Sequence, residues 1–342
     1  MRELKGSGRL FFDEDILFGV NHAWSTDYYF GLQGWVLGRK EPLHAVEIAI
    51  DGAPVQKVKF LPRPDLAELC QKHRSGTDCG FLLMFPRRIK HDVTIYATTS
   101  AGRLERKAKI PGLEPGAAAN FALATNLFAE FQAHVNDNHL SVLEIGSRIV
   151  SPGSASKRSL FSGASEYVGF DYYQDANTDV VGDAHKLSSY FGGREFDAVF
   201  SLSVLEHIAM PWLVAVEINR VLKTGGLTFH NTPTAVPIHE RPWDFWRYTE
   251  ESLKVLFSRP HGFDVLRTGY TTPVRIYPDA AIDGPQMTMP LHPTFGGVAI
   301  LARKSNPADS GRFRWDATIQ EVLGTDSHYP APEAAGSSRK QA

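Results

Sequence analysis

The sequence predicts an α/β protein whose second half forms a parallel sheet, preceded by a small all-β domain. Three observations carry this. Between Ser141 and Pro233, short apolar, β-branched runs each end in a small or acidic residue, and helical patterns separate them. That is the texture of buried parallel strands joined by crossover helices. Polar residues gather at the carboxyl ends of those runs, where open α/β sheets bind ligands. Before residue 112 the texture changes to short alternating runs with turn residues between them, at the spacing of a β-sandwich.

Residues 1–25 show no clear period and form an N-terminal segment. The domain predicted over 26–111 then takes six strands: 31–38, 44–50, 55–61, 80–85, 92–99 and 103–110. Asp51-Gly52 between alternating runs signals a two-residue hairpin, because a type I′ turn needs positive φ at both central residues. Ser100-Ala101-Gly102 makes a second turn. Two uses of this domain stand side by side: packing or self-association, and carbohydrate binding through Trp24, Tyr28 and Tyr29. The Pro-Gly breaks at 111–116 place a linker over 112–120.

The α/β domain spans 121–304. A helix runs from Ala117 to about Val135, spaced by Phe121, Leu127, Phe128 and Phe131. The strand series is Ser-Val-Leu-Glu-Ile-Gly (141–146), Tyr-Val-Gly-Phe-Asp (167–171), Val-Val-Gly-Asp (180–183), Phe-Asp-Ala-Val-Phe-Ser-Leu (196–202) and Leu-Lys-Thr-Gly-Gly-Leu-Thr-Phe-His (222–230). Helices start near Pro211 and after Thr249, a good N-cap. Strands at 262–266 and 297–302 close the domain, and 277–295 between them is a Pro- and Met-rich loop. The extension 305–342 is expected to be disordered beyond about residue 330.

Composition excludes several classes. With 342 residues, 43% hydrophobic, 22% charged and a net charge of −2, the chain is ordinary globular material without the basic excess of a nucleic-acid binder. Residues 1–20 lack the apolar core of a signal peptide, and no run is long enough to span a membrane. Cys70 and Cys79 are too few for a disulfide scaffold or a cysteine zinc site, so a reducing cytoplasm is the default compartment.

Taken together, the ordered motifs from Glu144-Ile145-Gly146 to Gly225-Gly226 resemble the class I S-adenosylmethionine (SAM)-dependent methyltransferases. In particular they resemble the type 11-like branch that modifies bacterial glycans and polysaccharides. The resemblance implies a seven-stranded Rossmann-like sheet whose last strand pair is reversed, and a helix ahead of the first strand that covers the cofactor. It implies SAM as cofactor, held by Glu144, Gly146, Ser147, Asp171, Tyr172, Asp183, Ala184 and Ser201. The chain departs from the pattern at Gly146-Ser147-Arg148, where the family usually places a second glycine two residues after the first.

Each of these positions has a chemical reason. The loop at Gly146 must bring backbone close to the amino-acid end of the cofactor. Asp171 sits one βαβ step later, where a carboxylate accepts both ribose hydroxyls; otherwise it is a strand-end turn residue. Asp183 can accept from an exocyclic amine. His207 is either the general base or a cap and brace for Glu206, and His239 and Asp244 are the other base candidates. Trp243, Trp246, Arg247 and Tyr248 belong to a segment dense in aromatic and charged residues. Such a mixture either binds sugar or packs a lid with Arg247 paired to Asp244. Glu206, His207, His230, His239 and Asp244 could assemble a metal site only through the fold, and no His-x₃-His or Cys-pair spacing supports zinc, so no metal is assigned.

The function this implies is SAM-dependent O-methylation of a sugar hydroxyl in a bacterial polysaccharide or related glycan. The expected partner is a glycan or small-molecule acceptor, with no nucleic acid; peripheral contact with a glycan-assembly complex and homo-oligomer formation stay open. A glycan-binding or assembly protein with a decayed methyltransferase domain is the rival. An NAD-dependent dehydrogenase is disfavoured, because Gly-x-Gly-x-x-Gly is absent after the first strand.

Overall fold

The computed structural model describes residues 9–12, 14–25, 29–51, 54–86, 92–110, 114–115, 121–150, 153–276, 289 and 292–308. The chain divides into two compact units: Met1–Ala119 with Val274–Thr294, and Asn120–Pro273 with Phe295–Ala342.

The first unit contains β1 (Arg9–Phe12), β2 (Ile16–Ser25), β3 (Tyr29–Gly38), β4 (Ala45–Ile50), β5 (Gln56–Lys57), β6 (Leu61–Pro62), α1 (Ala67–Lys72), β7 (Asp78–Pro86), β8 (Asp92–Thr99), β9 (Gly102–Lys109) and β10 (Glu114–Pro115). One sheet runs β1-β2-β3-β7-β6 with β10 beside β2, and a second runs β5-β4-β8-β9. Side chains alternate across a strand, so β8 turns Val93, Ile95 and Ala97 to one face. They share a core with Phe18, Phe30, Leu32 and Phe81 of the other sheet.

Several expectations for this region are corrected. Residues 16–25, although without a clear period, form strand β2, paired with β3 along its length. It lacks a period of two because both its faces are buried: Ile16 and Phe18 enter the shared core, while Leu17 packs with Trp35, Leu37 and Cys70 beside α1. A register shift between Val20 and His22 breaks the alternation further. The two-residue turn at Asp51-Gly52 would pair Ile48 with Val55, but Ile48 pairs with Gln56. Asp51 nonetheless has positive φ (51°). Trp24 is fully buried, so it offers no surface for a sugar; the side chains of Tyr28 and Tyr29 lie outside the described residues. Within the expected linker, Glu114 and Pro115 pair with Trp24 and Ser25, and the remainder of 112–120 is not among the described residues. The buried Sγ atoms of Cys70 and Cys79 stand 3.9 Å apart.

The second unit holds α2 (Leu127–Asp137), β11 (Ser141–Ile145), β12 (Glu166–Asp171), β13 (Val180–Val181), β14 (Phe196–Leu202), α3 (Pro211–Val221), β15 (Leu222–Pro233), α4 (Glu250–Leu256), β16 (Phe263–Val274) and β17 (Thr294–Lys304). Its sheet order is β13-β12-β11-β14-β15-β17-β16. Strands β11 to β15 pair in parallel, and β17 enters antiparallel to β15. Both faces are covered, as a parallel sheet requires. Leu143, Val199 and Ile300 pack with α3 and α4 on one face, and Val142, Phe200 and Phe229 pack with α2 on the other. Pro211 opens α3, where its missing N–H costs nothing. Thr249 caps α4 in a reciprocal box with Ser252. Residues 277–288 and the tail beyond Ala308 lie outside the described residues. Among the described residues, no helix is long and apolar enough to cross a membrane.

Candidate functional site

Strands β11 to β15 present their carboxyl ends to one rim, and a cavity of about 450 Å³ opens there, within the size range of small-ligand sites. Its floor is the turn after β11. Gly146 has φ 80°, and a Cβ on it would run into the γ-methyl of Val204 after β14, so the position accepts only glycine. The N–H groups of Gly146 and Ser147 both donate to the carbonyl of Phe170 (2.8 and 3.2 Å), which folds the loop back onto β12. The Ser147 hydroxyl is buried, 3.4 Å from Thr178 Oγ1.

The next amide, that of Arg148, donates to Asp171 Oδ2 at 3.1 Å, and the Tyr173 amide donates to Oδ1 at 3.1 Å. The Arg148 guanidinium lies 3.6 Å from Asp171 and over the Tyr173 ring at 5.2 Å. Asp171 is therefore oriented from two sides at the cavity wall. Burial raises its pKa, and these hydrogen bonds oppose the rise. Arg148 thus occupies the position of the missing second glycine, with its side chain turned onto the strand-end carboxylate. Glu144, on β11 two residues before Gly146, accepts from the Tyr167 hydroxyl and from Asn177 Nδ2 (3.3 Å). Its burial pushes the carboxyl up to about 7. Asp183 accepts the His185 amide at 2.9 Å and faces its Nδ1 at 2.7 Å, capping the turn that begins at Ala184.

The opposite wall follows β14 and β15. Ser203 has φ 53° and donates its amide to the Asn231 carbonyl at 2.8 Å, bringing two strand ends together at the rim. His207 donates from Nδ1 to the Trp243 carbonyl at 2.7 Å, a bond that assigns the N–H to that nitrogen. Burial lowers its pKa and favours the neutral ring. His239 sits edge-on to it with ring centroids 4.9 Å apart, and its Nδ1 is 3.0 Å from the Pro237 carbonyl. Behind both lies Glu206, with no exposed surface. Its Oε2 accepts from Thr232 Oγ1 at 2.9 Å, its Oε1 has no hydrogen-bond partner, and burial lifts its carboxyl to about 7.

The fold thus gathers Glu144, Gly146, Ser147, Asp171, Tyr172, Asp183, Ala184, His207 and His239 around one cavity. Other expected site residues stand elsewhere. Ser201 is buried in the sheet, where it bonds His230 Nδ1 at 2.7 Å; Ser203, two residues on, reaches the rim instead. The same bond, with Thr228 on Nε2 at 2.7 Å, removes His230 from any metal cluster at the rim. Asp244 forms a two-pronged pair with Arg247 (2.6 and 2.8 Å) and accepts the His239 amide at 2.9 Å. The Arg247 hydrogen bonds hold its carboxyl well below the usual range, so it is a positioning group and a poor base.

Tyr248 is buried in the core and donates to the Leu205 carbonyl at 3.0 Å. Trp246 donates to the Ile208 carbonyl at 2.9 Å and packs edge-on against Trp212. Trp243 offers its backbone to His207. Trp243, Trp246, Arg247 and Tyr248 thus brace the segment and do not line the cavity. Nor does α2, which packs on the face of the sheet. Lining residues that the sequence reading missed include Ile149, Lys157, Val204 and Asn231. Asn231 was detectable as the polar residue near the end of β15; Lys157, on an irregular loop, carried no signal.

Residues 150–230 match a family described as a methyltransferase domain. The match supports SAM-dependent methyl transfer in a general sense, and no substrate follows from it. No curated protein matches the chain. Among solved structures, the chain is similar to a SAM-dependent methyltransferase from Archaeoglobus fulgidus at 16% identity, with 53% of this chain and 95% of that one covered and a TM-score of 0.36. It is similar to a methyltransferase of Bacillus halodurans at 16% identity, 51% and 99% coverage and a TM-score of 0.37. A third is a methyltransferase bound to the Trm112 activator of Haloferax volcanii, at 18% identity, 53% and 92% coverage and a TM-score of 0.35.

Proposed function

We propose that this protein transfers the methyl group of SAM to a hydroxyl oxygen, with a sugar unit of a bacterial polysaccharide or related glycan as the acceptor. The observation that carries the reading is the paired placement of Asp171 and Asp183 at adjoining strand ends, on the same cavity as the Gly146 turn. Asp171 suits a ribose diol and Asp183 an exocyclic amine, while the Glu144 carboxyl near the turn can accept a hydrogen bond from an ammonium. These groups stand at β11 to β13, and this reading assigns the acceptor to the neighbouring ends of β14 and β15.

That second side carries Ser203, Asn231, His239 and Glu240, groups that hydrogen-bond hydroxyls and favour a polyhydroxylated acceptor over a flat apolar one. SAM supplies an already electrophilic methyl: the acceptor oxygen takes it in line while the sulfur keeps the bonding pair, leaving S-adenosylhomocysteine. The chain has two tasks, to align the oxygen and to help its proton leave. His207 and His239 stand where the second is done.

Calorimetric titration of the purified chain with S-adenosylhomocysteine, beside Asp171→Ala, tests this. Micromolar binding weakened at least about tenfold in the variant is expected, a loss of about 1.4 kcal/mol. A folded wild-type chain that binds neither SAM nor its product sinks the proposal and leaves the reading of a decayed domain, with Arg148 in the glycine position as its structural mark.

A further inference from the structure

Glu206, His207 and His239 each offer one ligand atom, and those atoms lie within 4.8 Å of one another. Among the described residues they are the one such cluster of three. Proximity alone would not make a site. A second feature points to a ligand: Glu206 is completely buried, yet its Oε1 has no hydrogen-bond partner, while Oε2 is fixed by Thr232. A buried, unsatisfied carboxylate oxygen is costly, and the group persists where something positive meets it. His207 Nε2 stands 3.8 Å from that oxygen.

The two imidazoles are set up in the same way. His207 Nδ1 is bonded to the Trp243 carbonyl and His239 Nδ1 faces the Pro237 carbonyl, each at hydrogen-bond distance. A ring whose Nδ1–H is fixed by a carbonyl presents Nε2 as its lone-pair nitrogen, the arrangement seen behind metal-bound histidines. Asp244 completes the support from outside: its carboxylate accepts the His239 amide and is itself clamped by Arg247. The dense segment 239–248 thereby acquires a purpose that its aromatic content had disguised.

We propose that Glu206, His207 and His239 form a divalent-cation site on the acceptor wall of the cavity. Two nitrogen ligands and one carboxylate select a borderline transition ion such as Zn²⁺, Mn²⁺, Fe²⁺ or Co²⁺ over Mg²⁺ or Ca²⁺, which prefer all-oxygen sets. A cation at about 2.1 Å from each donor in tetrahedral geometry sets the three atoms about 3.4 Å apart, so side-chain movements of up to about 1.4 Å bring them from their present spacing onto one ion. His207 and His239 both line the cavity, so the ion's remaining positions face the space where an acceptor oxygen would sit. Its use in catalysis rests on the methyl-transfer reading: an acceptor hydroxyl bound to the cation loses its proton to water more readily, and the resulting alkoxide takes the methyl. The two imidazoles then hold the ion and take no proton themselves.

The test is direct binding of Co²⁺ to the full-length chain after dialysis against a chelator, followed by the visible d–d absorption of the bound ion. One equivalent bound at micromolar concentration is expected, with at least about tenfold weaker binding in Glu206→Gln and in His239→Ala. His239 is the half-exposed member of the set, so its variant remains informative should the Glu206 variant fold poorly. Wild-type protein that takes up no Co²⁺, or a His239→Ala chain that binds as tightly as wild type, overturns the site. S-adenosylhomocysteine binding is measured on the same samples: Co²⁺ uptake lost in His239→Ala upholds the cation site even where no nucleoside binds and the methyl-transfer reading falls.

Discussion

Replacing Gly146 with alanine separates two costs that the structure places at one residue. The first is conformational: φ of 80° is left-handed backbone, which costs an L-residue about 1–2 kcal/mol. The second is steric. The new methyl would overlap the γ-methyl of Val204, a β-branched side chain that cannot simply swing away, and overpacking of this kind costs about 1–3 kcal/mol. Gly146→Ala should therefore destabilise the α/β unit by about 2–5 kcal/mol. In a Val204→Ala background the methyl has room and only the conformational cost remains, so the same substitution should cost about 1–2 kcal/mol. The difference, about 1–3 kcal/mol, is the coupling energy of a double-mutant cycle. Native-state hydrogen exchange of the β11 and β12 amides reads it within this unit alone. S-adenosylhomocysteine affinity should follow, falling at least about tenfold in the single variant and recovering in the double. Equal costs in the two backgrounds, within about 0.5 kcal/mol, would refute the claim that Val204 is the wall that requires glycine.

Two further outcomes follow from buried groups. Tyr248→Phe removes the donor to the Leu205 carbonyl and should cost about 1–2 kcal/mol of stability while leaving the KM for acceptor unchanged; a raised KM in a folded variant would return Tyr248 to the binding surface. His230 is fully buried between Ser201 and Thr228, and burial depresses its pKa from 6.5 to about 3. The unfolded chain then binds the extra proton between those values, so the stability this residue contributes is complete above pH 6.5 and is lost as pH falls towards 3. Relative to His230→Gln, wild type should lose about 2 kcal/mol between pH 6.5 and pH 5, read from urea unfolding at each pH. Parallel pH profiles for the two proteins would show that His230 is not held neutral.

The strand series of the α/β unit was legible because a strand buried on both faces has to be an unbroken apolar run, and its end is marked by the first residue that meets water. Glu144-Ile145-Gly146 and Gly169-Phe170-Asp171 announce themselves in this way. The same rule fails on β2, an equally apolar stretch whose two buried faces and register shift remove the alternation expected of an antiparallel strand. The segment 239–248 failed for a different reason. Tryptophan, tyrosine, arginine and aspartate serve a sugar site and a braced loop equally well, and only the direction of each side chain tells the two apart.

Ser201 and Ser203 show how that direction is decided. Along β14 successive side chains alternate faces, so Ser201, opposite His230 in the ladder, shares that residue's buried face, and Leu202 turns the other way. Strict alternation would bury Ser203 beside Ser201. Its φ of 53° breaks the alternation at the strand's last step, and its amide, captured by the Asn231 carbonyl, turns the chain outward over the cavity. The polar residue that reaches the cavity is thus the first one beyond the ladder, where the backbone leaves extended geometry. The same holds across the sheet: at Gly146 too the left-handed residue is the one that follows the last paired residue, so the rim of this cavity is drawn by departures from strand geometry as much as by the residues that carry its chemistry.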